Sequence, residues 1–319
     1  MKIEEKHWNF PNQTKNALVL KIHERNAYIF KDGLGNCHFA IETTYSSYST
    51  INTEGLQVVF NELDLDDKMN IQVIQFKCSH PSFLGLFVRI INEIIDNSES
   101  SNFETKTRST INIWMRFLNR SRKPRMDDTL ILGLYGELLF IEKLVMTGIE
   151  ESLILDCWTG PDHESKDFSF ENAFVEVKAS SRTAGHTHVI NGIDQLNAFD
   201  RKLYFASFHL SKLEGKQNCS VNTLIDNLNQ KYFEPYGLEL KFYDKLYDYG
   251  YDKRDVDYYD GVLFNLTSEK LLIVDSDFPK ITNDIFKSPL DSRVSKIKYE
   301  IDVNSLYTLQ FNILKDVIR

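Results

Sequence analysis

The sequence predicts an α/β protein in which helices flank a mixed central sheet, preceded by a strand-rich N-terminal domain. Three observations lead there. The first hundred residues are crowded with short apolar runs separated by Asn, Gly and Asp turns. The segment TLILGLYGELLFIEKLVMTG then repeats apolar residues at three- and four-residue intervals, the spacing of a helix with one buried face. Around it, a helix–strand–strand–helix–strand order brackets the acidic block Lys166–Lys178. A 13% aromatic content, rich in Phe and Tyr, also favours sheet over a helical bundle.

In chain order, NALVLKIHE, NAYIFKD, HFAIET, LQVVFNEL and MNIQVIQFKC are the expected strands of the N-terminal unit. A helix over 83–97 closes it, 98–102 is a loop, and TINIWMRFLNR reads as helical until Ser121–Arg125 interrupts it. Asp127 or Asp128 caps the long helix, which runs to about Met146 and stops near Gly148. LILDCW is an expected strand, followed by a Gly-Pro turn and the acidic hairpin. Ile193, Leu196 and Phe199 suggest a helix around 191–202, and LYFASFHL the next strand. SVNTLIDNLNQKYF is helical, 243–260 reads as a helix plus loop, and GVLFNL, KLLIVD and VSKIKYEIDV are strands. The expected division is 1–105 for a recognition or dimerisation domain, 106–128 for a basic connector, 129–215 for the core and 216–319 for an extension or lobe.

Composition excludes several classes. The four cysteines are scattered, with neither zinc spacing nor a disulfide framework, which fits a reducing, cytoplasmic setting. The first residues carry acidic side chains without an apolar run, so no secretory signal is expected, and no stretch reaches transmembrane length. A Walker-type phosphate loop is missing. A net charge of -9 argues against a general nucleic-acid coat, yet Lys106, Arg108, Arg116, Arg120, Arg122, Lys123 and Arg125 make one segment locally basic. That segment reads either as a solvated linker or as a phosphate-contacting strip.

The acidic block carries the chemistry. If Glu171 and Asn172 form a two-residue turn, Asp167 lies opposite Glu176, with Cβ atoms roughly 4.5–5.5 Å apart. Alternation puts Glu176 and Lys178 on one face and Phe168, Phe170, Val175 and Val177 on the other. Asp167 and Glu176, with the Val177 carbonyl, make an oxygen donor set suited to Mg²⁺. The hairpin alone reads more readily as a cross-strand salt bridge on a solvated sheet. Glu137 adds weight to the metal reading. It sits among Leu134, Ile141 and Leu144 on the long helix, where an unpaired carboxylate is costly, although it could also border the core. Gly133 and Gly136 on the same helix permit close approach to a sheet or substrate.

Taken together, LGLYGELLFIEKL, WTGPDHESKDFSF, FVEVKASSRT and INGIDQL resemble the PD-(D/E)XK nuclease superfamily. Within it they resemble a restriction-endonuclease-like branch of bacterial defence-associated proteins. The likeness covers about residues 130–210 and departs where Lys166, not proline, precedes Asp167. It implies a restriction-endonuclease-like core with Glu137 as the helix glutamate, Asp167 as the motif aspartate and Glu176 with Lys178 as the E-x-K pair. Gln195 matches a glutamine that follows E-x-K in the methyl-directed branch. Ser180, Arg182, His186 and His188, on the expected loop after the catalytic strand, are hydrogen-bond donors for a DNA backbone, beside Arg120, Arg122, Lys123 and Arg125. A zinc site at His186 and His188 lacks further ligands. The implied activity is Mg²⁺-dependent DNA hydrolysis, with Mn²⁺ able to substitute, in restriction or phage defence. Lys178 stabilises charge rather than acting as a base. Double-stranded DNA is the expected substrate, a homodimer would cut both strands, and other defence proteins are possible partners. The alternative is a non-catalytic nucleic-acid-binding or assembly protein on the same core.

Overall fold

The computed structural model describes residues 2–9, 17–22, 25–44, 51–53, 55–65, 68–96, 103–162, 164–198, 200–214, 219–282, 285–286, 294 and 297–318. The chain divides into two compact units, Met1–Arg122 and Lys123–Arg319.

In the first unit, strands β1 (Leu18–Ile22), β2 (Arg25–Lys31), β3 (Cys37–Glu42), β4 (Ile51–Asn52), β5 (Leu56–Leu65) and β6 (Lys68–Cys78) form one antiparallel sheet ordered β1-β2-β3-β6-β5-β4. Helices α1 (Leu84–Asp96) and α2 (Phe103–Leu118) share its core, where Phe39, Ile41, Ile74 and Phe76 are buried with Ile91, Ile94 and Trp114. The five expected strands are present, and the short β4 joins them. The expected loop at 98–102 lies outside the described residues.

The second unit begins with α3 (Asp128–Met146). The Asp127 carboxylate caps it by accepting from the Leu130 N–H at 2.9 Å. After α4 (Glu151–Cys157) come β7 (Phe168–Ser169), β8 (Ala173–Ser180), β9 (Thr187–Ile190) and β10 (Lys202–Leu213). Then follow α5 (Val221–Leu228), α6 (Glu239–Tyr249), α7 (Val256–Tyr259), β11 (Leu263–Ile273), β12 (Tyr299–Asp302) and α8 (Leu314–Val317). The central sheet is ordered β11-β10-β8-β7 and is mixed: β8 and β10 run parallel, while β7 and β11 are antiparallel to their neighbours. The segment after residue 216 thus supplies an edge strand of the central sheet. No helix among the described residues is long and apolar enough to cross a membrane.

Four expectations need correction. LILDCW is helical, not a strand. Ile154, Leu155 and Trp158 are buried at helical spacing, and the Trp158 N–H donates to the Ile154 carbonyl at 3.0 Å. Short apolar runs carry both periods, and packing chose between them. The helix expected over 191–202 is only a 3-10 turn, Asp194–Leu196. Gly192 at φ 150° and a bond from the Asn191 N–H to the Gln195 Oε1 turn the chain instead; Phe199 lies outside the described residues. GVLFNL and KLLIVD join into the single strand β11, because the polar residues between them pair with β10 through a bulge at His209/Leu210. Finally, the stretch read as a loop up to His188 contains β9, which pairs antiparallel with β12.

A buried carboxylate–lysine cluster in the second unit

The acidic hairpin forms in the expected register. Phe168 pairs with Val175 and Ser169 with Phe174, and the Phe170 N–H donates to the Ala173 carbonyl at 2.8 Å across Glu171-Asn172. One step outward, that register sets Asp167 against Glu176. Phe168, Phe170, Val175 and Val177 are all buried, and the Phe168 ring meets Phe140 of α3 edge-on at 4.9 Å. Helix α3 reaches the sheet through Gly136, where an added Cβ would lie 2.8 Å from the Ala179 Cβ. The glycine read from the sequence as permitting close approach does so here.

These contacts gather Glu137, Asp167 and Glu176 around the charge of Lys178. Asp167 is fixed by the backbone: its Oδ2 accepts the Val177 N–H at 2.7 Å, and its own carbonyl accepts from Thr159 and Gly160. Glu176 is 1% exposed and its Oε1 is paired with the Lys178 ammonium. The other oxygen, Oε2, is buried without a hydrogen-bond partner. Lys178 keeps 20% of its side chain exposed. On α3, Glu137 is buried; its Oε2 accepts from the Trp158 indole at 2.6 Å and its Oε1 from the Tyr249 hydroxyl at 2.9 Å.

The electrostatics follow from confinement. Burial raises the Glu176 pKa to about 7, helped by Asp167 and opposed by Lys178. Burial likewise raises Asp167, against the pull of Lys178 and the Val177 N–H. Glu137 is raised well above the carboxylate range by burial and by Asp167, although the indole and phenol bonds pull it down. For Lys178, burial would lower the pKa, but Glu176 and Asp167 outweigh it and hold the ammonium above its ordinary value. Lys178 is therefore a cation here, which suits charge stabilisation and not proton abstraction.

Gln195 sits beside this group through its backbone. Its carbonyl accepts the buried Lys166 ammonium at 2.7 Å, while its side-chain oxygen closes the turn at Asn191. Lys166, at the position of the departure from the family pattern, lowers the pKa of both Asp167 and Glu176. The remaining site residues are dispersed. The Ser180 hydroxyl is buried and accepts from the Arg182 N–H, and Arg182 is exposed and paired with Glu300. His186 and His188 are buried, both bonded to the Ser207 hydroxyl at 2.6 Å, with His186 also on Ser268 at 2.9 Å. In the second unit, Lys123 lies over the Tyr247 ring and Arg125 over Tyr258. In the first, Arg122 is exposed and Arg120 partly so.

Sequence reasoning missed Trp158, Tyr249 and Lys166. Trp158 was readable only as core, and nothing in the tyrosine-rich stretch distinguishes Tyr249 from its neighbours.

Among the described residues, no group of three or more His, Cys, Asp or Glu side chains is set to hold a metal ion. The fit to a divalent cation is narrower than a preformed cage. It rests on the partnerless, buried Glu176 oxygen and the all-oxygen chemistry of Asp167 and Glu176, which is the donor type Mg²⁺ takes with waters completing its shell.

A carboxylate-bearing helix, a two-carboxylate hairpin with E-x-K spacing and a mixed sheet define the PD-(D/E)XK nuclease superfamily, and this chain is a member. Residues 1–304 match the profile of the DUF4420 family, described as "Putative PD-(D/E)XK family member", and the chain belongs to that family. No curated protein and no solved structure matches it.

Proposed function

We propose that the protein is a Mg²⁺-dependent endonuclease hydrolysing DNA phosphodiester bonds, with Mn²⁺ able to substitute, in restriction or phage defence. The observation that carries this reading is the buried Glu176 oxygen without a partner, beside Asp167 and a lysine held cationic. Asp167 and Glu176, with the Val177 carbonyl, would hold the cation, and Glu137 would complete its surroundings. When bound, it supplies charge neutralisation at the phosphate and acidifies a water. The rest falls to side chains. Lys178, partly exposed, faces substrate and stabilises the charge that develops on the phosphoryl oxygens. Glu137 orients water through its two anchored oxygens. Gln195 and Lys166 hold the turn that flanks the hairpin. Arg120, Arg122, Lys123, Arg125 and Arg182 stand as contact candidates at the surface, whereas burial takes Ser180, His186 and His188 out of reach of a backbone. Cutting both strands implies two copies of the site and thus a homodimer; other defence proteins are partners by resemblance alone.

The test is a cleavage panel of modified and unmodified duplex DNA, single strands and RNA, with Mg²⁺ or Mn²⁺. Wild type should nick or cut DNA, and Asp167→Ala or Lys178→Ala should lower the rate by about 10²-fold or more. Equal cleavage by both variants would sink the assigned site. The second reading, a nucleic-acid-binding protein without catalysis, is favoured by the lack of a three-ligand group among the described residues. Metal-independent DNA binding with no cleavage on any substrate would select it.

A further inference from the structure

The geometry points to Tyr249 and Trp158 as positioning residues for Glu137, so that α6, far downstream in the chain, completes the acidic cluster. This rests on the nuclease reading of the cluster and deepens it.

Three independent features build the arrangement. First, each Glu137 oxygen has its own donor, the Trp158 indole on Oε2 and the Tyr249 hydroxyl on Oε1, at 2.6 and 2.9 Å. One donor per oxygen fixes the plane of the carboxylate and still leaves each oxygen a lone pair. Second, glycines clear the space. Gly133 lies one turn before Glu137 on α3, and a Cβ there would sit 3.0 Å from the Tyr249 hydroxyl oxygen. A Cβ on Gly160 would clash with Glu137 Oε2. A glycine inside a helix costs about 1 kcal/mol relative to alanine, so Gly133 stands there against local propensity. Third, α6 is pinned to the segment that carries Trp158. Lys245 donates to the Trp158 carbonyl at 2.9 Å and to Asp162 at 2.7 Å, and the Tyr249 and Trp158 rings lie 6.3 Å apart. Tyr249, Trp158 and Glu137 thus come from three elements and meet at one carboxylate.

A group that acts only through Glu137 should alter cation affinity while leaving the fold in place. The experiment is a titration of the full-length protein with Mn²⁺ alone, read by electron paramagnetic resonance of the free ion. Wild type, Tyr249→Phe, Gly133→Ala and Asp167→Asn are compared, and urea unfolding is measured alongside. Tyr249→Phe keeps the ring and removes only the hydroxyl. It should weaken Mn²⁺ binding about 10- to 100-fold, the usual effect of losing an orienting partner, while unfolding stays cooperative with a midpoint lowered only by the lost hydrogen bond. Gly133→Ala, which presses on the hydroxyl without removing it, should weaken binding in the same direction and carries the test if Tyr249→Phe does not fold. Unchanged affinity in both, with loss in Asp167→Asn, overturns the positioning role and leaves the nuclease reading standing. No Mn²⁺ binding by wild type overturns the nuclease reading, and the positioning role falls with it.

Discussion

The stability of Glu176→Gln relative to wild type should rise with pH. The carboxyl titrates near 4.5 when unfolded and at about 7 in the fold, because burial and Asp167 outweigh the attraction of Lys178. Below pH 4.5 both states are protonated and the charge costs nothing. Between pH 4.5 and 7 the unfolded chain ionises while the folded site resists, so the wild type loses stability as pH rises; above 7 the loss is complete. At 1.36 kcal/mol per unit, the span amounts to about 3 kcal/mol. Glu176→Gln removes the titration. Its stability relative to wild type should therefore rise by about 3 kcal/mol between pH 4.5 and 7. Any offset from the amide's own hydrogen bonds is the same at every pH and drops out of the comparison. Urea unfolding of both proteins in chelator, across that range, measures the difference directly. A flat difference would refute the claim that confinement holds this carboxyl up. The same variant should lose cleavage, since it removes one of the two proposed cation-binding carboxylates.

The buried histidines titrate in the opposite sense. Burial pushes His186 down to about 4 and His188 to about 3, from 6.5, so stability is present above pH 6.5 and is lost as pH falls toward those values. Each contributes a slope of up to about 1.4 kcal/mol per pH unit, and His188→Gln should flatten acid unfolding by about that slope, measured as urea midpoints below pH 6.5. Gly136→Ala gains about 1 kcal/mol of helix propensity but drives a Cβ against Ala179, and overpacking of about 1–3 kcal/mol should make the variant less stable in thermal melts.

The parts legible in the sequence are those set over a few residues. Strand alternation and a two-residue turn are local, so the opposition of Asp167 and Glu176 could be read from numbering and reappears in the pairing of Phe168 with Val175. Helix α3 was equally readable, from its Asp127 cap to Gly148 at φ 81°, and so was the buried setting of Glu137 in its apolar stripe. Tertiary packing decided the rest. LILDCW has no period strong enough to select helix or strand, and burial of Ile154 and Leu155 settled it. His186 and His188 read as surface donors because nothing nearby in sequence announces Ser207 and Ser268, the hydroxyls that bury them. Glu137 obtains its hydroxyl donor from 112 residues away. The hairpin places its two carboxylates and lysine from within thirteen consecutive residues, 166–178. Their charge states, and the carboxylate that joins them from α3, depend on desolvation and on donors that only the folded chain brings together.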